Sequence, residues 1–412
     1  MATRTQDATR GGIAGLALRE WQRSALVVLA IMLLPFATFA AEAAVLRVFY
    51  YHDIQYYFIP YHRLVVDIVQ QGHLPLWNPY AFSGIPLLGD GQTAIFYPPN
   101  WLSFVLPPAA AINYTILLQF SLAGAGMFTF TRSLGVGRWA ATLAAIAFMF
   151  NGFLATRMVH LSIMSGAALV PFVFWAVEQW RLRPGPARFA LAALLVAVQA
   201  LAGHPQVPVY TAAGVLVYLV VRAATSAPPT ARWRAVLWAG AALVMAYTAG
   251  YCLAAIQLLP WIDFARLSPR ASNASFNLVA GQSIIGYDWL LVLFPYIFGG
   301  VRTSIFHPEP PYLPAAIYVW ERAAYVGILP LTLAAIALLT RDAEPATSGA
   351  QEGGATSLLA RRSTVIALGA VLLVGVLIAG GRDTFVAQIV YATPVLGKLR
   401  AYSRAVVLLT FA

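Results

Sequence analysis

Residues Ala25–Leu46, ALVVLAIMLLPFATFAAEAAVL, are followed almost at once by Tyr50–Trp101, YYHDIQYYFIPYHRLVVDIVQQGHLPLWNPYAFSGIPLLGDGQTAIFYPPNW, and the fold turns on how this junction is read. The first run is longer than the roughly 7–15 apolar residues of a signal-peptide core. It also lacks a small-residue cleavage site, so it reads as a retained membrane span. The second run holds Asp53, Asp67 and Asp90 and His52, His62 and His73 among many Pro, Gly and aromatic residues. Such residues build ordered turns rather than a floppy linker. A polar, turning segment just outside a first span is where chemistry is expected.

The whole chain agrees with a membrane reading. Its 412 residues are 60% hydrophobic and only 10% charged, with a mean hydropathy of +0.73. A soluble domain carries about 25% charged residues. The net charge of +11 does not point to nucleic acid, because the basic residues recur between apolar runs instead of forming one patch. A single Cys, Cys252, excludes an internal disulfide or a Cys metal site.

Apolar runs recur near 26–46, 111–131, 139–156, 163–180, 189–203, 206–221, 235–259, 324–340 and 364–380. A tenth starts near Tyr402 and runs to Ala412, so the sequence is expected to be a piece of a longer chain, ending inside a span. The expected fold class is all-α, a polytopic transmembrane helical bundle. Residues 1–23 would form a cytoplasmic tail and 24–412 a multi-span membrane domain. Loops 47–110 and 260–322 would face outward, and the Gly-, Ser- and Thr-rich 341–362 would be a flexible cytoplasmic loop. Arginines at 132, 138, 181, 183, 188, 222, 232, 234, 341, 361 and 362 then fall inside, while most acids fall outside.

Within the first outer loop, Ile54, Phe58, Tyr61, Leu64, Val65 and Ile68 recur at helical spacing, with Gly72 as a stop. This predicts an interfacial helix with His62, Asp67 and Gln70 on its polar side. Trp77, Asn78, Pro79 and Tyr80 are expected to pack against the outer ends of spans. Asn151-Gly152 should interrupt the third span, and Gly203-His204-Pro205-Gln206 should make a tight outer turn.

Asp53, in His52-Asp53-Ile54-Gln55, reads either as a general base or as a helix cap. Asp90 reads as a turn residue. The spacing of His52, His62 and His73 matches no tight metal-ligand pattern. His204 reads as a site residue or as a helix-end hydrogen-bond donor. Arg400 and Arg404, at i and i+4, suit a phosphate if they share a helix face, or else snorkel to headgroups. Glu321 and Arg322 are expected to pair with each other. No phosphate loop, nucleotide fingerprint or serine nucleophile elbow is present.

Together, HDIQYYFIP, GHLPLWNPYAFSGIPLLGDGQTAIFYPPNWL, AGHPQVPVY, ERAAYVGILPLTLAAIAL and LGKLRAYSRAVVLLTFA resemble the YfhO family of bacterial membrane proteins. That family looks like a branch of the GT-C integral membrane glycosyltransferases. The resemblance implies a sugar donor on a polyprenyl phosphate and an envelope glycan or lipid acceptor, with the active site at the outer face of the bacterial cytoplasmic membrane. It makes Asp53 the catalytic acid of the first outer loop. His52, Gln55, His204, Glu321, Arg400 and Arg404 become substrate-binding candidates. Single displacement would invert the anomeric centre. The class is compatible with a divalent metal without demanding one. Two rivals remain, a transporter or flippase of lipid-linked sugars and a non-catalytic envelope-assembly protein.

Overall fold

The computed structural model describes residues 21–268, 275–297, 319–339, 353–393, 397 and 399–412. The N-terminal tail up to residue 20 and the stretch 340–352, which holds most of the expected flexible loop, lie outside the described residues.

The described chain is almost wholly helical. Among the described residues seven helices are long and apolar enough to cross a membrane. They are Trp21–Thr38 (α1), Pro108–Ser133, Arg138–Val159, Leu161–Leu182, Gln206–Ser226, Pro229–Leu253 and Arg361–Ala379. Pro186–Leu201, Ile328–Leu339 and Tyr402–Phe411 are shorter apolar helices. This is a multi-pass membrane protein.

Between α1 and the second span runs the long loop. A π-helical turn at Ile54–Phe58 leads into helix α2, Ile59–Gln70. Gly72 ends this segment at φ +80°, in the left-handed region where a glycine costs nothing. One of the helix's expected polar residues is misassigned by the sequence pattern, because His62 is only 8% exposed. His62 stands four residues after Phe58 and three before Val65, so it shares their buried face, and residues 98–104 cover it.

A two-residue hairpin follows, Trp77–Asn78 (β1) paired antiparallel with Ile85–Pro86 (β2). The expected packing of the Trp-Asn-Pro-Tyr block is mostly not found. Asn78 is buried, but Trp77 is half-exposed and Tyr80 is 85% exposed. The hairpin turns back on itself through Phe82, Ser83 and Gly84, all at positive φ. That tight reversal lays the Trp77 ring over Gly84 and leaves the tip to project.

The second span, α3 (Pro108–Ser133), is the post around which the others gather. It packs against α4 (Arg138–Met149) and against the fourth span, α5 (Leu161–Leu182). The third span breaks at Asn151, as its Asn-Gly pair predicts. The Asn151 side chain accepts from Leu154 N–H at 2.8 Å and starts a new turn. Then come α6 (Pro186–Leu201), α7 (Gln206–Ser226), α8 (Arg232–Leu253), α9 (Ala255–Arg266), α10 (Val319–Arg322), α11 (Ile328–Leu339), α12 (Gly353–Ala379) and α13 (Val406–Phe411). The centre is aromatic: Phe411 sits 4.3 Å from Phe174 and 5.3 Å from Phe130 between ring centroids.

Asn113 fixes the loop to this bundle. Its fully buried amide accepts from Phe49 N–H at 3.1 Å and donates to the carbonyls of Glu42 and Arg47, each at 2.7 Å. Four residues later the chain reaches Asp53. Further on, the loop meets the turn between α6 and α7, where Gly203, at φ +88°, lies directly under the Gly91 carbonyl.

A Cβ at position 203 would overlap that oxygen and force a left-handed alanine, itself costing about 1–2 kcal/mol. Gly72 has a similar φ but open space around it. Gly203→Ala should therefore lower the thermal midpoint of the detergent-solubilised protein more than Gly72→Ala does. Equal midpoints would show that the loop does not dock there.

Candidate functional site

Because successive spans alternate in direction, the loop after α1, the junction at His160, the α6–α7 turn and the segment from Trp320 meet at one end of the bundle. There Glu321 is held between two arginines. Arg157 donates from Nη2 to Oε2 at 2.6 Å and from Nη1 to Oε1 at 3.1 Å. Arg404 donates from Nη2 to Oε1 at 2.7 Å and from Nε to Oε2 at 3.0 Å. Each carboxylate oxygen thus accepts two charge-assisted bonds, and both guanidinium forks are bidentate. Arg157 is fully buried and Glu321 nearly so. Two cations against one carboxylate leave one positive charge in a poorly solvated place. Burial raises the Glu321 carboxyl, but Arg157 and then Arg404 more than offset this and hold it well below the usual carboxylate range.

Arg404 has further partners. Its Nη1 donates to Gln206 Oε1 at 2.6 Å and to His204 Nε2 at 3.1 Å. His204 is therefore an acceptor here, not the helix-end donor the sequence suggested. Burial and the Arg404 charge push its imidazole well below the ordinary value, so it stays neutral. Gln206 in turn donates to the Arg400 carbonyl.

Asp53 stands at the mouth of this cluster. His52 Nδ1 lies 2.8 Å from Asp53 Oδ1, and His160 Nε2 lies 3.7 Å from Oδ2. The helix-cap role for Asp53 is not seen: its side chain makes no bond to the backbone of the turn it precedes. Burial first, and then the Arg157 charge, push His160 down to about 3, so it is neutral at physiological pH. The indole of Trp320 lies against both imidazoles, at 5.7 Å from His52 and 6.1 Å from His160. His52 sits at φ +49°, a conformation uncommon for a residue other than glycine.

The other sequence candidates divide as follows. Gln55 donates its backbone N–H to the His52 carbonyl at 3.0 Å, and its side chain makes no bond to the cluster. Arg400 and Arg404 do not share a helix face: Ala401 between them is left-handed at φ +66°, and the helical turn starts only at Tyr402. Glu321 and Arg322 do not pair. Arg322 instead donates to Asp288 at 2.8 Å, because neighbours along a helix point apart. Asp90 is the turn residue expected, accepting from Gln92 N–H at 3.2 Å. It is also partly buried. Burial raises its carboxyl, and the Tyr57 side chain faces it.

Sequence reasoning missed Arg157 and His160 as site residues. The signal was there: both follow the Asn151 break, and an arginine inside an apolar run needs a buried partner. His62 belongs elsewhere. It lines a cleft of about 440 Å³ between α2 and the start of α3, with Arg63, Asp67, Ser103, Phe104 and Ile112. Burial lowers its imidazole to about 4. That cleft touches none of Asp53, Arg157, Glu321 or Arg404. Among the described residues no three His, Cys, Asp or Glu side chains are arranged to hold a metal ion.

Comparison with protein-family models, characterised proteins and solved structures finds no match to this chain.

Glu321→Gln removes the charge both arginines face and should cost about 3–5 kcal/mol, the usual range for breaking a buried pair. The sign with pH follows. A carboxyl lowered in the folded state contributes fully above its unfolded value of about 4.3 and loses that contribution as acid takes the pH below it. Unfolding in detergent should show a steeper acid loss of stability in the parent than in Glu321→Gln. Parallel acid profiles would remove Glu321 from that role.

Proposed function

We propose that this chain is an integral membrane glycosyltransferase of the GT-C kind, allied to the YfhO family. It would move a sugar from a polyprenyl phosphate to an envelope glycan or lipid acceptor outside the cytoplasm. The observation that carries the reading is one juxtaposition: the accessible Asp53 carboxylate stands beside the buried, net-positive Arg157–Glu321–Arg404 cluster at one end of a membrane bundle. A transferase needs negative charge where the acceptor loses its proton and positive potential where the phosphate departs.

The division of labour differs from a direct arginine clamp. Both arginine forks are committed to Glu321, so the leaving phosphate is stabilised by the cluster's one excess positive charge rather than by displacing a carboxylate. Arg157 Nε, His160 Nδ1 and His204 Nδ1 are buried nitrogens with no hydrogen-bond partner among the described residues. They are the donors and acceptors left over for a polar ligand. The donor's lipid tail explains why such a site belongs on a membrane protein: the substrate does not leave the bilayer.

Orientation follows from charge. The end opposite Asp53 carries Arg132, Arg138, Arg181, Arg183, Arg188, Arg222, Arg232, Arg234, Arg361 and Arg362, with Glu178 among them. By the positive-inside rule that end is cytoplasmic, with the N-terminus inside. In a Cys252→Ser background, an impermeant thiol reagent added outside should label Ser83→Cys and spare Ser348→Cys. The reverse pattern would turn the site inward.

The activity test supplies labelled polyprenyl-phosphate sugars to membranes holding the full-length protein. The parent should yield a glycosylated product, and Asp53→Asn should lower the rate by about 10²–10⁴-fold. Asp67→Asn and Asp90→Asn should be milder. A flippase is the second reading, favoured by the broken helix at Asn151. Movement of lipid-linked sugar that survives loss of Asp53 would favour it.

A further inference from the structure

We infer that the proton leaving the acceptor hydroxyl goes to Nε2 of His52, and that Asp53 is the carboxylate that positions this imidazole and balances its charge. This deepens the transferase reading and rests on it.

An ionised carboxylate only accepts, so the 2.8 Å contact between Asp53 Oδ1 and His52 Nδ1 requires Nδ1 to carry the proton. In the neutral ring Nε2 is then a bare acceptor. The other carboxylate oxygen faces His160 Nε2, on a ring that burial keeps neutral. Asp53 thus has an imidazole on each oxygen and is the less available of the pair. Accessibility points the same way: the His52 side chain is 48% exposed against 36% for Asp53.

The ring is also held in place. Tyr51 lies 5.9 Å and Trp320 5.7 Å from it between centroids. The backbone beneath it is left-handed, a local cost of about 1–2 kcal/mol. Strain of this kind in a non-glycine residue marks positions where geometry matters more than local stability. The remaining histidines near the site lack this combination. The His204 Nε2 lone pair is taken by Arg404, and the His160 side chain is only 14% exposed with its Nε2 toward Asp53. A base close to the reacting group and oriented by a third group is the recurrent arrangement for proton abstraction.

The step balances. A lone pair on the acceptor oxygen forms the bond to the anomeric carbon. The bond from that carbon to the phosphate oxygen breaks, and its electron pair leaves with the polyprenyl phosphate. The hydroxyl proton passes to His52 Nε2, and Asp53 faces the resulting imidazolium. Half-exposed, that ring then releases the proton to water.

Two measurements on the full-length protein in lipid nanodiscs test this. Nitrogen NMR with isotope-labelled histidine, the His52 signal assigned by its loss in His52→Gln, should find the Nδ1–H tautomer in the parent. In Asp53→Asn the signal should move toward Nε2–H. In the transfer assay His52→Gln should lose about 10²–10⁴-fold in turnover. His52→Gly should regain part of its rate when free imidazole is added. An Nε2–H tautomer in the parent overturns the proposal. So does parental turnover in His52→Gln, which leaves the transferase reading standing. A parent that transfers none of the labelled sugars brings down both.

Discussion

Glu321 is the group on which the Asp53 end of the molecule depends. Moving three charges out of water costs several kcal/mol each, and their attraction repays this only when every hydrogen bond is made. On the carboxylate they are made: four bonds of 2.6, 2.7, 3.0 and 3.1 Å saturate it, and of the Arg157 nitrogens Nε alone is left without a partner among the described residues. The partners lie 164 and 83 residues away in the chain, so the cluster forms only when the third span, the Trp320 segment and the last helix have all arrived. Through Arg404 the same cluster reaches the α6–α7 turn at His204 and Gln206. The Gly152 N–H donates to the Tyr325 carbonyl at 2.7 Å and repeats the tie in backbone form. The imidazoles that flank Asp53 rest on Trp320, the residue before Glu321. Disturbing the buried pair therefore disturbs the accessible one.

Which parts of this the sequence disclosed follows from the range of each interaction. Spans are local: eighteen apolar residues need no partner to be recognised, and the apolar runs correspond to the long and short helices described. Breaks and turns are local as well, so Asn151, Gly203 and Asp90 read correctly from their own neighbours. Long-range pairing is not local. The i, i+1 proximity of Glu321 and Arg322 suggested a bond, whereas their actual partners, Arg157, Arg404 and Asp288, lie on other segments. A single backbone angle at Ala401 removed the helix face expected for Arg400 and Arg404. His62 was placed on a wet face by its polarity, although it stands at helical spacing from the buried Phe58 and Val65 and is covered by residues 98–104. Asp53 drew attention in the sequence by its place just after the first span and by the family resemblance, and the structure sets it between His52 and His160. His160 was legible only as a polar residue after the Asn151 break, and folding alone brings it to Asp53.

A second cluster at the opposite end shows what these charges do for a membrane protein. Glu178 accepts from Arg181 at 2.6 and 2.7 Å and from Arg222 at 3.1 Å. Arg222 also donates to Thr364 at 2.7 Å, and Ser363 bonds Thr225 at 2.6 Å. This joins α5, α7 and α12 just as Glu321 joins the segments at the Asp53 end. Between the two clusters the helices offer mainly apolar faces, and lipid is as apolar as they are. The hydrophobic effect that drives a soluble core together is therefore absent between spans. What remains is close packing and polar bonding. Gly214 lets Leu408 and Phe174 reach the α7 backbone, and Gly250 lets α8 close on Val196 of α6. Such contacts hold helices together without fixing how far one slides along another. A carboxylate bonded to two arginines from different segments does fix it, because a slip of one residue, about 1.5 Å, breaks bonds that nothing else in the bilayer replaces. The two charged clusters thus set the register of the bundle at its two ends, and the Glu321 cluster sets it at the end that carries Asp53.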